Sequence, residues 1–260
     1  MKTVTKAVIP AAGLGKRLWP VTKITPKELL PIVTKPSLHL VLEEAQRAKL
    51  KEIVLILSPH KKSTMYHLRD FFPEFTLHFV EQKEALGLGH AVGLAEKIID
   101  EEPFLVLLPD VIFDSDVPVA TQLIKIFGEI QTSVNATEQV LKEDISSFGV
   151  YEIASSKGKL HLAKRVVEKP SPGEAPSRFV VAGRYLFTPE IFQILKQTPP
   201  GKNGEIQLAD AMHTLAKQGK LYAYEFEGKH FDIGNPIGYI RASLYFGIKE
   251  YGKRIYQGII

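Results

Sequence analysis

Two uninterrupted apolar runs constrain the fold of this chain more than any other feature of its sequence. They occupy residues 53–57 of the segment 52–57 (EIVLIL) and residues 103–108 (PFLVLL). A strand that is apolar at every position, rather than at every second one, is typical of a parallel sheet with helices on both faces. Helical and strand-like segments alternate around both runs, which favours a doubly wound α/β arrangement. We therefore predict a Rossmann-like, mixed but mainly parallel central sheet flanked by helices.

The spacing of these segments divides the chain into two predicted halves of a single domain, residues 1–131 and 132–260. Strands and helices alternate in the first half, whereas strand-like segments follow one another closely at the start of the second. The predicted strands are 6–10, 52–57, 76–81, 103–108, 134–140, 149–153, 160–168, 179–187 and 222–227. The predicted helices are 37–50, with Ser37 as its N-cap, 61–72, 91–100, 189–197, 206–217 and 237–249. In such folds ligands bind at the carboxyl ends of the parallel strands.

The composition argues against several classes of protein. The chain has 33 Lys and Arg against 29 Asp and Glu, and the basic residues are scattered. This mild charge of +4 suits an anionic small substrate but not a nucleic acid. No apolar run is long enough to span a membrane, and the lack of cysteine excludes disulfides, thiolate metal sites and a cysteine nucleophile. We expect a cytoplasmic protein that binds neither membrane nor nucleic acid.

A glycine-rich loop follows the first strand directly. Gly13 and Gly15 can bring backbone N–H groups close to a polyphosphate, and Arg17 and Lys27 add positive charge. The loop lacks the third glycine of a dinucleotide fingerprint and the first glycine of a Walker A loop. On the glycine pair alone, an ordinary flexible turn is an equal alternative.

The loop continues into longer motifs that are shared with a known family. They are G-x-G-x-R-x-x-P at residues 13–20 and P-K-E-x-L-P at residues 26–31. On these motifs the chain resembles the sugar-phosphate nucleotidyltransferases. The resemblance extends along nearly the whole chain through residues 87–91 (GLGHA), 108–111 (LPDV), 148–150 (FGV), 167–170 (VEKP), 182–185 (AGRY), 205–211 (EIQLADA) and 231–235 (FDIGN).

The resemblance implies a fold of the nucleotide-diphospho-sugar transferase type and a definite reaction. Glucose 1-phosphate would attack the α-phosphorus of UTP, giving UDP-glucose and pyrophosphate. Residues 1–131 would bind the nucleotide and residues 132–260 the sugar phosphate. The attacking phosphate oxygen is already ionised near pH 7, because its second pKa is about 6. The reaction therefore needs no general base, but it needs positioning, cations and Mg²⁺.

The resemblance also implies roles for individual residues. The nucleotide would contact Ala11, Ala12, Gly13, Gly15, Arg17, Lys27, Gln82, Gly87 and Asp110, and the sugar phosphate would contact Gly149, Glu168, Lys169 and Gly183. Arg17, Lys27, Asp110 and Lys169 would carry the chemistry, and Asp110 and Asp232 would hold one Mg²⁺. Carboxylate oxygens suit Mg²⁺, which takes few protein ligands, and the amide of Gln82 can both donate to and accept from uracil. Taken singly, each of these residues could instead be an ordinary turn former or a solvated loop residue.

Two positions near the expected base site depart from the family pattern, Lys83 in place of glycine and Leu86 in place of lysine. The same chemistry with another product, dTDP-glucose or CDP-glucose, therefore stays open. A sugar-nucleotide-binding paralogue without turnover stays open as well. A homo-oligomer is compatible with the sequence, and His90 is expected to have a structural or supporting role.

A metal-dependent glycosyltransferase is a further alternative, suggested by the D-x-D pattern at residues 114–116. That three-residue pattern has low specificity. A glycosyltransferase would also leave the predicted triphosphate loop between Gly13 and Lys27 without a purpose.

Overall fold

The chain folds into strands and helices that alternate over the first half and give way to adjacent long strands in the second. A computed structural model of the protein describes residues 3–201 and 204–257. Its strands are β1 (Lys6–Pro10), β2 (Pro31–Ile32), β3 (Lys35–Pro36), β4 (Glu52–Leu57), β5 (Thr76–Glu81), β6 (Phe104–Leu107), β7 (Val111–Asp114), β8 (Ser133–Gln139), β9 (Gly149–Lys157), β10 (Leu160–Glu168), β11 (Phe179–Phe187), β12 (Leu221–Glu225) and β13 (Lys229–Asp232). Its helices are α1 (Ser37–Arg47), α2 (Lys62–Phe71), α3 (Leu88–Gly93), α4 (Glu96–Ile99), α5 (Val119–Ile130), α6 (Glu190–Gln197), α7 (Leu208–Lys217) and α8 (Pro236–Tyr251).

Nine of these strands form one continuous sheet, in the order β5-β4-β1-β6-β11-β8-β12-β10-β9. The pairs β5–β4, β4–β1, β1–β6 and β8–β12 are parallel. Only β11 and β10 run against the rest, so seven of the nine strands share one direction. The predicted mixed, mainly parallel α/β sheet is thereby confirmed. Its β6–β11 pair joins the two halves of the chain.

Helices cover both faces of this sheet, which explains why β6 and residues 53–57 of β4 are apolar at every position. Along β1, Ala7 and Ile9 pack into one apolar cluster and Val8 into another. The first cluster includes residues of α1, α2 and α5, and the second includes residues of α3, α4, α6 and α7. Successive side chains of a strand point to opposite faces, so each face needs its own apolar set.

The helix predicted at residues 37–50 ends at Arg47, the strand predicted at 149–153 extends to Lys157, and two further predictions differ more. The helix expected at residues 91–100 is two short helices, α3 and α4, and α3 begins three residues earlier than expected. Ser37 is the first residue of α1 rather than its N-cap. Its hydroxyl instead donates to the carbonyl oxygens of Glu28 and Pro109, which ties the helix start to two loops of the sheet edge.

Helix α5 and the short strand pairs β2–β3 and β7–β13 are not predicted from the sequence. Helix α5 does carry a signal, because Val119, Leu123 and Phe127 recur at a spacing of four residues and are all buried. The short strands are two to four residues long and carry no comparable pattern. Among the helices of the described ranges, none has the length and apolarity that crossing a membrane requires.

Candidate active site

Two adjoining cavities open at the carboxyl ends of β1 and β6, where the fold class predicts a ligand site. The larger has a volume of about 530 Å³ and contains Lys169 in its wall, and we call it the Lys169 cavity. The smaller has a volume of about 430 Å³ and contains Gln82, and we call it the Gln82 cavity. Gly13, Lys27 and Asp110 line both, so they lie where the two cavities meet.

Most of the predicted site residues line these cavities. The Lys169 cavity is lined by Gly13, Gly15, Arg17, Lys27, Asp110, Gly149, Glu168, Lys169, Gly183 and Asp232. The Gln82 cavity is lined by Ala12, Gly13, Gly15, Lys27, Gln82, Gly87 and Asp110. Ala11 lines neither cavity: it is fully buried, and its N–H donates to the carbonyl of Ile56 at 2.8 Å. Ala11 therefore has no free backbone N–H to offer a base.

The glycine loop presents free backbone N–H groups to the cavities. From Ala12 to Gly15, no N–H donates to a backbone carbonyl of the described chain. Gly15 has a left-handed backbone (φ 64°) and precedes a single 3₁₀ turn at Lys16–Leu18. A short run of unpaired N–H groups around a left-handed residue is an anion-binding arrangement.

Lys61, which belongs to none of the sequence motifs, holds this loop from the side away from the cavities. Its Nζ donates to the carbonyl oxygens of Ala11 at 2.6 Å and Gly13 at 2.8 Å. In a trans peptide the carbonyl and the following N–H point in opposite directions. The N–H groups that follow these two carbonyls therefore point away from Lys61, and both belong to residues that line the Gln82 cavity.

Lys61 also forms a buried ion pair with Glu28, the acid of the P-K-E-x-L-P motif, at 2.9 Å. Burial raises the pKa of Glu28 and lowers the pKa of Lys61, and each partner opposes the shift of the other. Glu28 is fully inaccessible to solvent. The motif thus serves two purposes, since Lys27 faces the cavities while the next residue anchors the loop.

A second buried ion pair joins Lys27 and Asp110 at the junction of the two cavities, with 2.5 Å between Nζ and Oδ2. Burial alone would favour the neutral form of each group. It is outweighed by the partner's charge, so the pKa of Lys27 is raised and the pKa of Asp110 is lowered. Arg17 lies close enough to favour the charged form of Asp110 as well. Both groups are therefore ionised at neutral pH.

The two-stranded sheet β7–β13 brings Asp232 beside Asp110. Asp232 lies opposite Val111 in this antiparallel pair, and the N–H of Ile233 donates to the carbonyl of Asp110 at 2.9 Å. A Cβ placed on Gly234 would lie 2.9 Å from Oδ2 of Asp110 and 3.0 Å from Oδ1 of Asp232. The two carboxylates therefore converge on one glycine.

This pair of carboxylates fits the ligand preference of Mg²⁺. Within residues 3–201 and 204–257, no group of three or more His, Cys, Asp or Glu side chains forms a complete metal cage. Mg²⁺ is usually held by one or two carboxylates, with water and substrate phosphate completing its octahedron. A carboxylate pair that faces a phosphate-binding loop matches that pattern, whereas a structural zinc site would need four protein ligands.

Gly234→Ala is expected to lower activity without unfolding the protein, because its methyl group would press against both carboxylates at 2.9–3.0 Å. We expect a loss of about tenfold or more in turnover, since small displacements of catalytic groups are costly. Gly128→Ala is the matched control, because a Cβ there meets nothing within 4 Å and alanine favours the helix α5. Steady-state rates and thermal melts of both variants test this, and unchanged turnover of Gly234→Ala would contradict it.

The wall of the Lys169 cavity is built from the start of β9, the end of β10 and the middle of β11. Glu168 lies opposite Gly149, and Lys169 follows with a left-handed backbone (φ 45°) and an N–H bonded to the carbonyl of Phe148. Its Nζ pairs with Glu168 Oε1 at 2.5 Å, and both side chains are partly exposed to the cavity. A left-handed backbone costs a non-glycine residue of order 1–3 kcal/mol and is typical of functional sites. At Gly183 (φ 77°) a Cβ would lie 2.9 Å from Val111, so only glycine fits.

Two of the family motifs pack directly on each other. The N–H of Gly89 donates to the carbonyl of Ile206, and the N–H of Ile206 donates to the carbonyl of Leu86, both at 2.8 Å. A Cβ on Gly87 would lie 2.8 Å from the carbonyl oxygen of Ile206. The GLGHA segment therefore has glycines where the EIQLADA segment approaches, and this contact places Glu205 in the walls of both cavities.

The residues that depart from the family pattern, and those of the D-x-D pattern, lie outside the cavities. Lys83 and Leu86 line neither cavity, and Leu86 acts through its backbone carbonyl. The carboxylate of Asp114 accepts from the hydroxyl of Tyr245 at 2.6 Å and pairs with Lys249. This removes the observation that favoured a glycosyltransferase.

Comparisons with known proteins support a nucleotide-handling site. A family model described as nucleotidyl transferase matches residues 6–246. The UTP–glucose-1-phosphate uridylyltransferase of Bacillus subtilis (strain 168) is 38% identical over 96% of this chain and 93% of that protein. The UTP–glucose-1-phosphate uridylyltransferase YngB of the same organism is 40% identical over 95% of this chain and 91% of that protein.

Two solved structures are similar along almost their full length. A UDP-glucose pyrophosphorylase complexed with UDP-glucose has a TM-score of 0.90 and 37% identity, over 95% of this chain and 100% of that chain. A UTP-bound UGPase from Acinetobacter baumannii has a TM-score of 0.86 and 31% identity, over 99% of each chain.

Proposed function

Because the chain belongs to the nucleotidyl transferase family, we propose that it transfers a uridylyl group from UTP to glucose 1-phosphate, giving UDP-glucose and pyrophosphate. One observation carries the proposal: two cavities meet at the buried pair Lys27–Asp110, one with free loop N–H groups and the other with Glu168 and Lys169. An anionic donor and an anionic acceptor can therefore bind side by side. The substrates are those named for relatives that are 36–40% identical over most of the chain.

In the proposed reaction, an ionised oxygen of the sugar phosphate attacks the α-phosphorus of UTP. The bond between that phosphorus and the bridging oxygen breaks, and pyrophosphate leaves with the negative charge. The loop N–H groups, Arg17 and Lys27 hold the triphosphate, and Lys169 holds the sugar phosphate. Glu168 accepts hydrogen bonds from sugar hydroxyls, and Gly149 lets the sugar approach the backbone. These groups act by positioning and by charge, because no proton has to be removed from the nucleophile.

Asp110 and Asp232 are the residues that would hold Mg²⁺, and the ion would neutralise phosphate charge and support the departing pyrophosphate. Their convergence on Gly234 supports this assignment. Chelation with EDTA is expected to abolish pyrophosphate release, and added Mg²⁺ is expected to restore it.

Lys169→Ala is expected to raise the KM for glucose 1-phosphate by about tenfold to a hundredfold, with a smaller change in the KM for UTP. The reason is the loss of a charge-assisted contact with a phosphate, which is stronger than a neutral hydrogen bond. Lys196→Ala is the matched control, because Lys196 pairs with Glu96 on the surface outside both cavities. Equal effects on both substrates would remove Lys169 from the sugar-phosphate site.

The test of the proposed function is pyrophosphate release by the purified protein with Mg²⁺ and glucose 1-phosphate, across UTP, dTTP, CTP, ATP and GTP. A strong preference for UTP is expected. A preference for dTTP or CTP would support the alternative products. Binding of UDP-glucose without any release of pyrophosphate would support the paralogue without turnover.

The cytoplasmic location and the homo-oligomer stay predictions. Light scattering coupled to size-exclusion chromatography measures the oligomeric state.

A further inference from the structure

The side-chain amide of Gln82 is held in one orientation by two acceptors. Its Nε2 atom lies 3.2 Å from the carbonyl oxygen of Gly87 and 2.9 Å from Nδ1 of His90. A carbonyl oxygen can only accept, so the group that faces Gly87 is the NH₂ of the amide. Both amide protons are then engaged. Nδ1 of His90 must offer a lone pair, which places the proton of the neutral ring on Nε2.

This arrangement leaves Gln82 one polar atom for a ligand. In the described part of the chain no donor reaches Oε1 of Gln82, and that atom is not among the fully buried unpaired ones. The backbone N–H of Gly87 likewise donates to no backbone carbonyl of the described residues. Both residues line the Gln82 cavity. The cavity therefore offers an acceptor, Oε1, close to a donor, the N–H of Gly87.

We propose that His90 is a positioning residue that selects the base, because it keeps the NH₂ of Gln82 turned away from the ligand. Uracil and thymine carry an N3–H donor beside a carbonyl acceptor at position 4, which matches Oε1 of Gln82 and the N–H of Gly87. Cytosine carries a lone pair at N3 and an amino donor at position 4. With cytosine, the lone pair of N3 would face the lone pairs of Oε1, and the amino group would face the N–H of Gly87. Neither contact can form a hydrogen bond. The inference rests on the proposed function, since it assumes that the base enters the Gln82 cavity.

The contribution of His90 to base selection follows from the contacts that the amide of Gln82 would keep if His90 were replaced. Gly87 alone would hold the amide through one longer hydrogen bond, so the amide could turn and offer its NH₂ to N3 of cytosine. A site that leaves the polar groups of the wrong base unpaired discriminates strongly against that base. A site whose side chain can turn to pair with those groups does not. His90 therefore acts on the choice between bases rather than on the chemistry of the phosphates.

The experiment measures equilibrium binding of UTP, dTTP and CTP by calorimetry, with the wild-type chain and three variants. His90→Phe keeps a flat ring but removes the acceptor, and His90→Asn restores an acceptor near the position of Nδ1. His78→Phe is the control, because His78 on β5 pairs with Glu52 on β4 and lines neither cavity. We expect the preference for UTP over CTP to fall about tenfold or more in His90→Phe. The other two variants should keep it.

The ratio of UTP to dTTP binding is the internal reference. Thymine presents the same polar edge as uracil, so this ratio should not change in His90→Phe. A general distortion of the cavity would alter both ratios. An unchanged ratio of UTP to CTP in His90→Phe would overturn the proposal, as would wild-type binding that does not distinguish UTP from CTP.

A second measurement uses the wild-type chain, so its result does not depend on whether a variant folds. Nitrogen NMR of the His90 ring is expected to show a proton on Nε2 and none on Nδ1. A proton on Nδ1 would overturn the inference.

The outcomes separate this inference from the proposed function. Selective UTP binding that depends on His90, but without pyrophosphate release, would overturn the function and leave the inference standing. Turnover of UTP with equal binding of CTP would do the reverse. The absence of nucleotide binding would overturn both.

Discussion

Asp110→Asn is expected to lower the rate of pyrophosphate release by about a hundredfold to a thousandfold, which is the scale of losing one electrostatic group from a preorganised site. The carboxylate lies at the junction of the two cavities, is ionised by its pair with Lys27, and converges with Asp232 on Gly234. An amide would keep the shape but lose the charge that pairs with Lys27 and that, in the proposed function, would hold Mg²⁺. Steady-state kinetics over a range of Mg²⁺ concentrations measure the effect.

Asp232→Asn is expected to behave in the same way, with a raised Mg²⁺ requirement. Asp114→Asn is the matched control, because Asp114 ends β7, the strand that directly follows Asp110, but its carboxylate contacts Tyr245 and Lys249 outside the cavities. Thermal melts establish that each variant is folded. Near-normal activity of both Asp110→Asn and Asp232→Asn would contradict the assignment of the metal site.

Lys61→Met is expected to destabilise the fold by about 3–5 kcal/mol, because it leaves the carboxylate of Glu28 buried without its partner. The side chains of Lys61 and Glu28 are only 8% and 0% exposed, so solvent cannot compensate. Lys196→Met breaks a surface pair and is expected to cost about 1 kcal/mol or less. Urea denaturation of both variants measures the difference.

The double variant Lys61→Met, Glu28→Gln separates stability from positioning. Without a buried charge it should recover part of the lost stability. It should not recover nucleotide affinity, because the carbonyls of Ala11 and Gly13 still lack the donor that orients the loop. Full recovery of both properties would show that Lys61 acts through its ion pair alone.

The sheet could be predicted because its signal is local. Residues 53–57 and 104–107 are apolar at every position, and the structure buries them on both faces. The strands β7 and β13 could not be predicted in this way. Each is four residues long, and each is stabilised by a partner far away in the sequence.

The candidate site likewise contains some features that the local sequence predicts and others that depend on the tertiary structure. The free N–H groups of the loop follow from its glycines, but Lys61 has no local signature, since a single lysine before a helix is usually solvated. Its role depends on three partners that only the tertiary structure brings together. The residue sequence likewise gives no means of choosing between Ala11 and Ala12. The difference arises because Ala11 still continues the hydrogen bonding of β1 with β4.

The pairing of β7 with β13 has a consequence for the order in which the protein becomes active during its synthesis. Of the two carboxylates that converge on Gly234, Asp110 follows β6, whereas Asp232 lies about 120 residues later, at the end of β13. A nascent chain that has completed its glycine loop and its first parallel strands still lacks Asp232. The second carboxylate reaches the site only when β13 has been synthesised and pairs with β7. In the proposed function, a nascent chain therefore lacks one of the two carboxylates that would hold Mg²⁺ until β13 has been made.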